Sequence, residues 1–375
     1  MRTSERDGEC RGFPVVRPAG RHERAALAQD PTLGPSSSGS LHRGAAVGDR
    51  VELESPGGSS ARRGFRERFR QWFRRVILFL LVPYLALVLM FGGLQRSLMY
   101  FPTRVATVSV AECGLPRGQV HEIEVPVADD LVLNGWLALA DGQSADDLTG
   151  GLARLCGDRS LLLYFPGNAG HRGYRAGAIA GFTGLGLDVV LVDYRGFAEN
   201  AGKPTEASLH VDARGIQLWL ADQGIAADRL ILFGESLGSA VAVRLAADLC
   251  RSGTPPAGLL LRAPFSSMTD TARHRYPWLP VRWVLIDRYQ SIDHIGDVNC
   301  PVTIVHGTDD QVVPIHLSRE LFEAAPPRSE TGVERRFIEL PGVGHNAIPL
   351  EPIVEAARGM MAGSDNRNGD QEHAG

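Results

Sequence analysis

The sequence predicts an α/β domain, a mostly parallel sheet with helices on both faces, preceded by a single transmembrane helix. Three observations carry this expectation. Six short apolar runs, each closed by a turn, recur between residues 160 and 342. Helix-like stretches such as "LHVDARGIQLWLADQG" and "SAVAVRLAADLC" lie between several of them. Upstream, the twenty residues from 76 to 95 carry no charge. Strands that are apolar along their whole length are buried on both faces, and interleaved helices are what cover a parallel sheet.

Residues 1–60 are expected to be disordered. "PTLGPSSSGS" and "ESPGGSSARRG" are rich in Gly, Ser and Pro, and no apolar periodicity runs between them. Residues 61–75, "ARRGFRERFRQWFRR", hold seven Arg against one Glu. Phe65, Phe69, Trp72 and Phe73 fall at i, i+4, i+7 and i+8, the stripe of a basic amphipathic helix. The uncharged run "VILFLLVPYLALVLMFGGLQ" follows, and at about 1.5 Å per residue it spans a hydrocarbon core of about 30 Å. It has no polar face, unlike a helix half-buried in a soluble core, and no small-residue cleavage site follows it. Arg is abundant before the span, and only Arg96 and Arg104 follow closely. The positive-inside rule then puts the N-terminus in the cytoplasm and the rest outside it. A globular domain is expected over 96–358, and a disordered tail over 359–375.

Within the domain, "QVHEIEVPVADDLVLNGWLALA" alternates in strand fashion about a turn at Asp129-Asp130, predicting an antiparallel pair. The six apolar runs follow: "SLLLYFPG", "LDVVLVDYRG", "LILFGES", "GLLLRAPF", "VTIVHG" and "RRFIELPG". Loops at the carboxyl ends of such strands build the functional site.

Bulk properties exclude several classes. At 44 % hydrophobic, 22 % charged and net charge −4, the chain has ordinary globular composition and no electrostatic case for nucleic acid. The five cysteines include no C-x-x-C pair, so neither a zinc site nor a disulfide scaffold is indicated. One pair, such as Cys113 with Cys156, is chemically able to bridge in an oxidising compartment. No zinc-protease, phosphate-loop or dinucleotide fingerprint occurs, and no metal or cofactor is expected.

The chemistry centres on "LILFGESLGSA", which contains G-x-S-x-G at Ser236. Such a serine sits on a strained strand-to-helix turn, and the glycines let helix and strand pass closely. The motif alone is weak, so its partners decide. A serine hydroxyl needs a histidine to take its proton and a carboxylate to orient that histidine. His345 lies in the glycine-rich loop "ELPGVGHNAIP" after the last expected strand and suits the base. His306 precedes the candidate acids, His316 opens a helix, and His373 lies in the expected tail. Asp309 and Asp310 in "VTIVHGTDDQVVP" both follow a strand, and neighbouring side chains diverge, so one of them faces His345. One oxyanion N–H is expected from Leu237, the residue after the serine. The loop after "LLLYFPGNAG", residues 166–170, is the expected source of the second.

The set "FPGNAG", "VDYRGFAENAGKPTE", "GESLGSA", "RAPFSSM", "HGTDDQVVP" and "GVGHN" resembles the alpha/beta-hydrolase superfamily, within it a membrane-anchored branch with depalmitoylase-like and lysophospholipase-like members. The resemblance covers about residues 95–355. It implies Ser236 as nucleophile, Asp310 as acid and His345 as base, with Asn168 supplying the second oxyanion N–H. Two departures stand out. Pro166 occupies a place where relatives often carry His, which backbone donation survives. "RGFAENAGKP" departs from a Tyr-Gly-x-Ser pattern, which could reshape the pocket wall.

The expected function is a membrane-anchored serine hydrolase that cleaves carboxylic esters or thioesters of acyl or lipid type through an acyl-serine intermediate. The alternatives are a serine peptidase or amidase of the same fold, and a non-catalytic binding protein on that fold. Trp278, Leu279 and Trp283, with Tyr276 and Tyr289, are candidate pocket walls in "RHRYPWLPVRWVLIDRYQ".

Overall fold

The computed structural model describes residues 58–155 and 159–372. The expected disordered segment 1–60 therefore lies almost wholly outside the described residues, as does Cys156. The chain forms two units, Met1–Arg66 and Glu67–Gly375. Of the first, only the start of a helix is described.

The basic stripe and the apolar run form one helical stretch: α1 (Gly58–Val76), a π-helical turn (Ile77–Leu81) and α2 (Val82–Met99). Pro83 has no N–H for the carbonyl four residues back and its ring crowds that carbonyl. The widened π turn sits directly before it, a known accommodation of such a defect. The helix is long and apolar enough to cross a membrane. It runs past Gln95, where the expected span ends, and stops at Met99. Tyr100 and Phe101 precede Pro102, and the residue before a proline is driven into extended backbone.

Eight strands form the main sheet: β1 (Val120–Pro126), β2 (Val132–Ala138), β3 (Leu161–Phe165), β4 (Asp188–Val192), β5 (Leu230–Glu235), β6 (Gly258–Arg262), β7 (Val302–Gly307) and β8 (Arg336–Leu340). Their order is β8-β7-β6-β5-β3-β4-β2-β1. β2 pairs antiparallel with β1 and β4; every other pairing is parallel. At the tip of the β1–β2 hairpin Asp129 and Asp130 both have positive φ, 65° and 53°. That backbone matches the right-handed twist of the two strands.

Side-chain alternation explains the continuous apolar runs. Leu161, Leu163 and Phe165 of β3 enter one core, while Leu162 and Tyr164 enter the other. In β5, Leu230 and Leu232 part in the same way from Ile231 and Phe233. The first core is covered by α3 (Glu206–Asp222) and α4 (Leu237–Arg251), with Leu209, Ile216 and Val241 among the contacts. The second is covered by Ile179 and Phe182 of a helix at Ala176–Thr183 and by Ile353 and Ala357 of a C-terminal helix, Glu351–Glu372. A fully buried Leu, Ile, Val or Phe among them contributes about 1.5–3 kcal/mol.

That last helix covers most of the stretch expected to be a disordered tail. Ile353, Ala356, Ala357 and Met360 are buried and supply the costly first turns. Beyond them no proline follows, and propagation from an existing nucleus is cheap.

Candidate active site

Four strands of the parallel sheet deliver the site from one edge. β3 leads into 166–170, β5 into Ser236, β7 into Asp310, and β8 into the turn His345–Ala347.

Ser236 joins β5 to α4 with φ 51° and ψ −114°, a conformation that a non-glycine residue seldom adopts. Its N–H donates to the Arg262 carbonyl at 2.9 Å, which pins the turn to β6. The two motif glycines are required by close approach. A Cβ on Gly238 would lie 2.1 Å from the Phe165 carbonyl oxygen, and one on Gly234 would lie 2.5 Å from Ser239 Cα. Helix α4 can therefore start against the end of β3, next to the loop that carries Asn168.

His345 Nε2 lies 3.1 Å from Ser236 Oγ, and its Nδ1 lies 2.6 Å from Asp310 Oδ2. Asp310 is buried, and its carboxylate has donors on both oxygens. Oδ1 accepts from the Val312 and Val313 N–H groups, each at 2.8 Å, and Oδ2 also faces His306 Nε2 at 3.0 Å. Burial pushes the carboxyl pKa up, but hydrogen bonds from His306, His345 and the backbone outweigh it and hold the group well below the usual carboxylate range. Asp309 is exposed and bonded to Thr308 Oγ1 at 3.1 Å. Residue spacing alone left the adjacent carboxylates open and the resemblance implied Asp310; the turn after β7 points Asp310 inward and leaves Asp309 exposed.

Asn168 and Leu237 line the same cavity as Ser236. Their N–H groups have no acceptor among the described residues, which leaves them able to donate to a group in the cavity. The Asn168 side chain donates to the Met99 carbonyl at 2.7 Å, and its own carbonyl accepts from Phe101 N–H at 2.8 Å. A short parallel pairing of Phe101–Pro102 with Ala169–Gly170 continues this tie. Thus the end of α2 braces the 166–170 loop.

The residue before the serine is also built in. Glu235 accepts from Tyr164 Oη at 2.6 Å and pairs with Arg262 at 3.1 Å and Arg175 at 3.7 Å. Burial raises its pKa, but the two guanidiniums prevail and hold it low. Arg175 in turn donates to the Ala169 carbonyl at 2.9 Å.

No family model matches the chain. An uncharacterized protein of Mycobacterium tuberculosis strain H37Rv is 40 % identical over 253 residues, covering 67 % of this chain and 80 % of that protein. The lysophosphatidylserine lipase ABHD12 of Danio rerio is 30 % identical over 313 residues, covering 76 % and 81 %. Among solved structures, the Pyrococcus furiosus esterase Pf2001 superposes with TM-score 0.51 at 16 % identity, covering 72 % of this chain and 98 % of the esterase. An alpha-beta hydrolase from Vibrio vulnificus gives TM-score 0.51 at 20 % identity, covering 66 % and 81 %. The chain belongs to the alpha/beta-hydrolase superfamily.

In this alpha/beta-hydrolase the cavity at Ser236 has a volume of about 540 Å³. Leu279 lines it, as expected, together with Phe265, Met268 and Val284. Trp278 and Trp283 do not: both are exposed. The physical reason is the short helix Val281–Val284, which turns Val281 and Val284 toward the domain and Trp283 outward. Tyr289 is buried elsewhere, hydrogen-bonded to Tyr100 at 2.7 Å. The departing loop "RGFAENAGKP" does not line the cavity; Arg195 pairs with Asp212 and Glu199 with Arg172 instead.

Three groups escaped the sequence reading: His306 behind Asp310, Glu235 behind Ser236, and the end of α2, whose Phe91, Leu98 and Met99 line the cavity. His306 is part of H-G-x-x-D, so a signal existed. The role of α2 had none, because an apolar run reads the same whether it meets lipid or a cavity.

Proposed function

We propose that the protein is a membrane-anchored serine hydrolase of acyl esters or thioesters, with Ser236, His345 and Asp310 as its catalytic residues. The observation that carries this reading is the His345 ring, with Nε2 at 3.1 Å from Ser236 Oγ and Nδ1 at 2.6 Å from Asp310. Ser236 Oγ attacks the acyl carbonyl while His345 Nε2 takes its proton. Asp310 accepts from Nδ1–H, which fixes the tautomer and stabilises the imidazolium. The Leu237 and Asn168 N–H groups receive the oxyanion. Collapse expels the alcohol or thiol, protonated by His345, and leaves an acyl-Ser236 ester. Water, deprotonated by the same histidine, then releases the acid and restores the serine.

An apolar cavity next to the reacting atoms favours an acyl chain. ABHD12, a relative at 30 % identity, is named a lysophosphatidylserine lipase, which supports a lipid ester here. The apolar helix supports membrane attachment, and the arginine-rich segment before it favours a cytoplasmic N-terminus with the catalytic domain on the other side. A fluorophosphonate probe should label Ser236 covalently, and Ser236→Ala should abolish labelling and hydrolysis together. Labelling that persists in that variant would overturn the assignment.

A further inference from the structure

We propose that segment 276–286 is a second membrane contact, which enters the leaflet on the catalytic side so that an acyl chain passes sideways from that leaflet into the Ser236 cavity. This deepens the function above and rests on α2 spanning a bilayer.

Depth along the helix is the first ground. With residues 76–95 in hydrocarbon, Phe91 lies about 6 Å inside the catalytic-side boundary and Tyr84 about 16 Å inside it. The catalytic domain touches both. Tyr84 Oη donates to the Trp278 carbonyl at 3.0 Å. The Phe91 ring meets Trp278 edge-on and Tyr276 at a tilt, each with centroids 5.7 Å apart. Sliding the helix until Tyr84 reached the boundary would draw Arg66, Arg68, Arg70, Arg74 and Arg75 into hydrocarbon, which their charge opposes. The segment beside Tyr84 and Phe91 is therefore held at leaflet depth.

Much of its backbone is already paired, as a medium without water requires. Gln95, buried, donates to the Val284 carbonyl at 3.2 Å and accepts from the Ile286 N–H at 2.7 Å. Leu279, Val281, Trp283 and Leu285 N–H groups bond to carbonyls within the segment. Pro277 and Pro280 have no N–H to satisfy. Its outer surface matches the same medium. Trp283 is 88 % exposed, Ile286 63 % and Trp278 48 %, and tryptophan favours the membrane interface. Arg275 and Arg282, both exposed, have the reach to bring their guanidiniums to lipid phosphates while their stems stay in apolar surroundings. The cavity lies on the other side of this segment: Tyr276, Leu279 and Val284 line it together with Phe91 and Leu98 of the helix. A chain in the leaflet thus has apolar wall on both sides up to Ser236.

The test uses the full chain with Trp72→Phe, reconstituted in phosphatidylcholine vesicles with brominated acyl chains. Bromolipid should quench part of the tryptophan emission, and the quenched part should vanish in Trp278→Phe/Trp283→Phe. Emission untouched by bromolipid, whether the patch meets water or another copy of the chain, overturns the proposal. In a second arm, Trp283→Asp/Ile286→Asp should lose at least tenfold activity on a long-chain ester embedded in vesicles and keep its activity on p-nitrophenyl butyrate in solution. Equal activity on both overturns the lateral route. Alkaline carbonate distinguishes the failures: wild type released from the vesicles removes the spanning helix and the proposal with it, whereas retained protein with unquenched Trp278 and Trp283 removes the proposal alone.

Discussion

His306 and His345 share one oxygen of Asp310, at 3.0 and 2.6 Å from Oδ2. His306 Nε2 also faces the Val313 carbonyl at 3.0 Å. Both neighbours are acceptors, so Nε2 carries a proton and donates. The buried His306 thereby holds the carboxylate that His345 also contacts. A hydrogen bond to a charged group is worth about 1.5–3 kcal/mol. His306→Asn should therefore lower kcat about 10- to 100-fold and leave KM nearly unchanged, because no substrate reaches His306. An equal change in KM, measured with a p-nitrophenyl ester, would show that the pocket and not Asp310 had been disturbed.

Asp310→Asn should lower kcat by about 10⁴-fold, the scale expected when the histidine loses its tautomer. Asp309→Asn should stay within a few-fold of wild type, since the Asp309 carboxylate is exposed and, among the described residues, accepts from its neighbour Thr308 alone. Steady-state kinetics on both variants checks this, and the reverse ranking would reassign the acid.

Stability should depend on these same carboxyls at low pH. Asp310 and Glu235 have folded-state pKa values held below their ordinary ones. The unfolded chain then binds more protons than the folded one as pH falls past about 4, so stability rises with pH across that window. Their contribution is complete above the unfolded values and is lost progressively below them. The Tm advantage of wild type over Asp310→Asn should thus shrink between pH 6 and pH 3. An advantage that grows on acidification would contradict the assigned direction.

Acyl selectivity should reside in the cavity wall and not in the exposed tryptophans. Each methylene buried contributes about 0.8 kcal/mol, so kcat/KM on p-nitrophenyl esters should climb from acetyl to longer chains. Ala272 lines the cavity, and Ala272→Trp should flatten that climb while sparing the acetate. A flat wild-type profile beside rapid cleavage of aminoacyl amides would favour a peptidase.

Most of the fold was legible from residues 118 to 345. Leu161 to Phe165 and Leu230 to Phe233 are apolar at every position because alternate side chains enter two different cores, and that is a local pattern. Ser236 and its flanking glycines were legible for a similar reason: a strained turn with helix packed on strand leaves few residue choices, and they are adjacent in the chain. What tertiary structure alone decided is how distant segments meet. It turned Asp310, which the resemblance implied but residue spacing left undecided against Asp309, toward His345, because that direction depends on the chain leaving β7. It set His306 behind that carboxylate and turned Trp283 away from the cavity that Leu279 enters. It also brought Phe91, Leu98 and Met99 to Ser236, more than a hundred residues away in the chain. Periodicity and motif record which side chains need an apolar neighbour; only the packed chain specifies whether that neighbour is core, lipid or substrate.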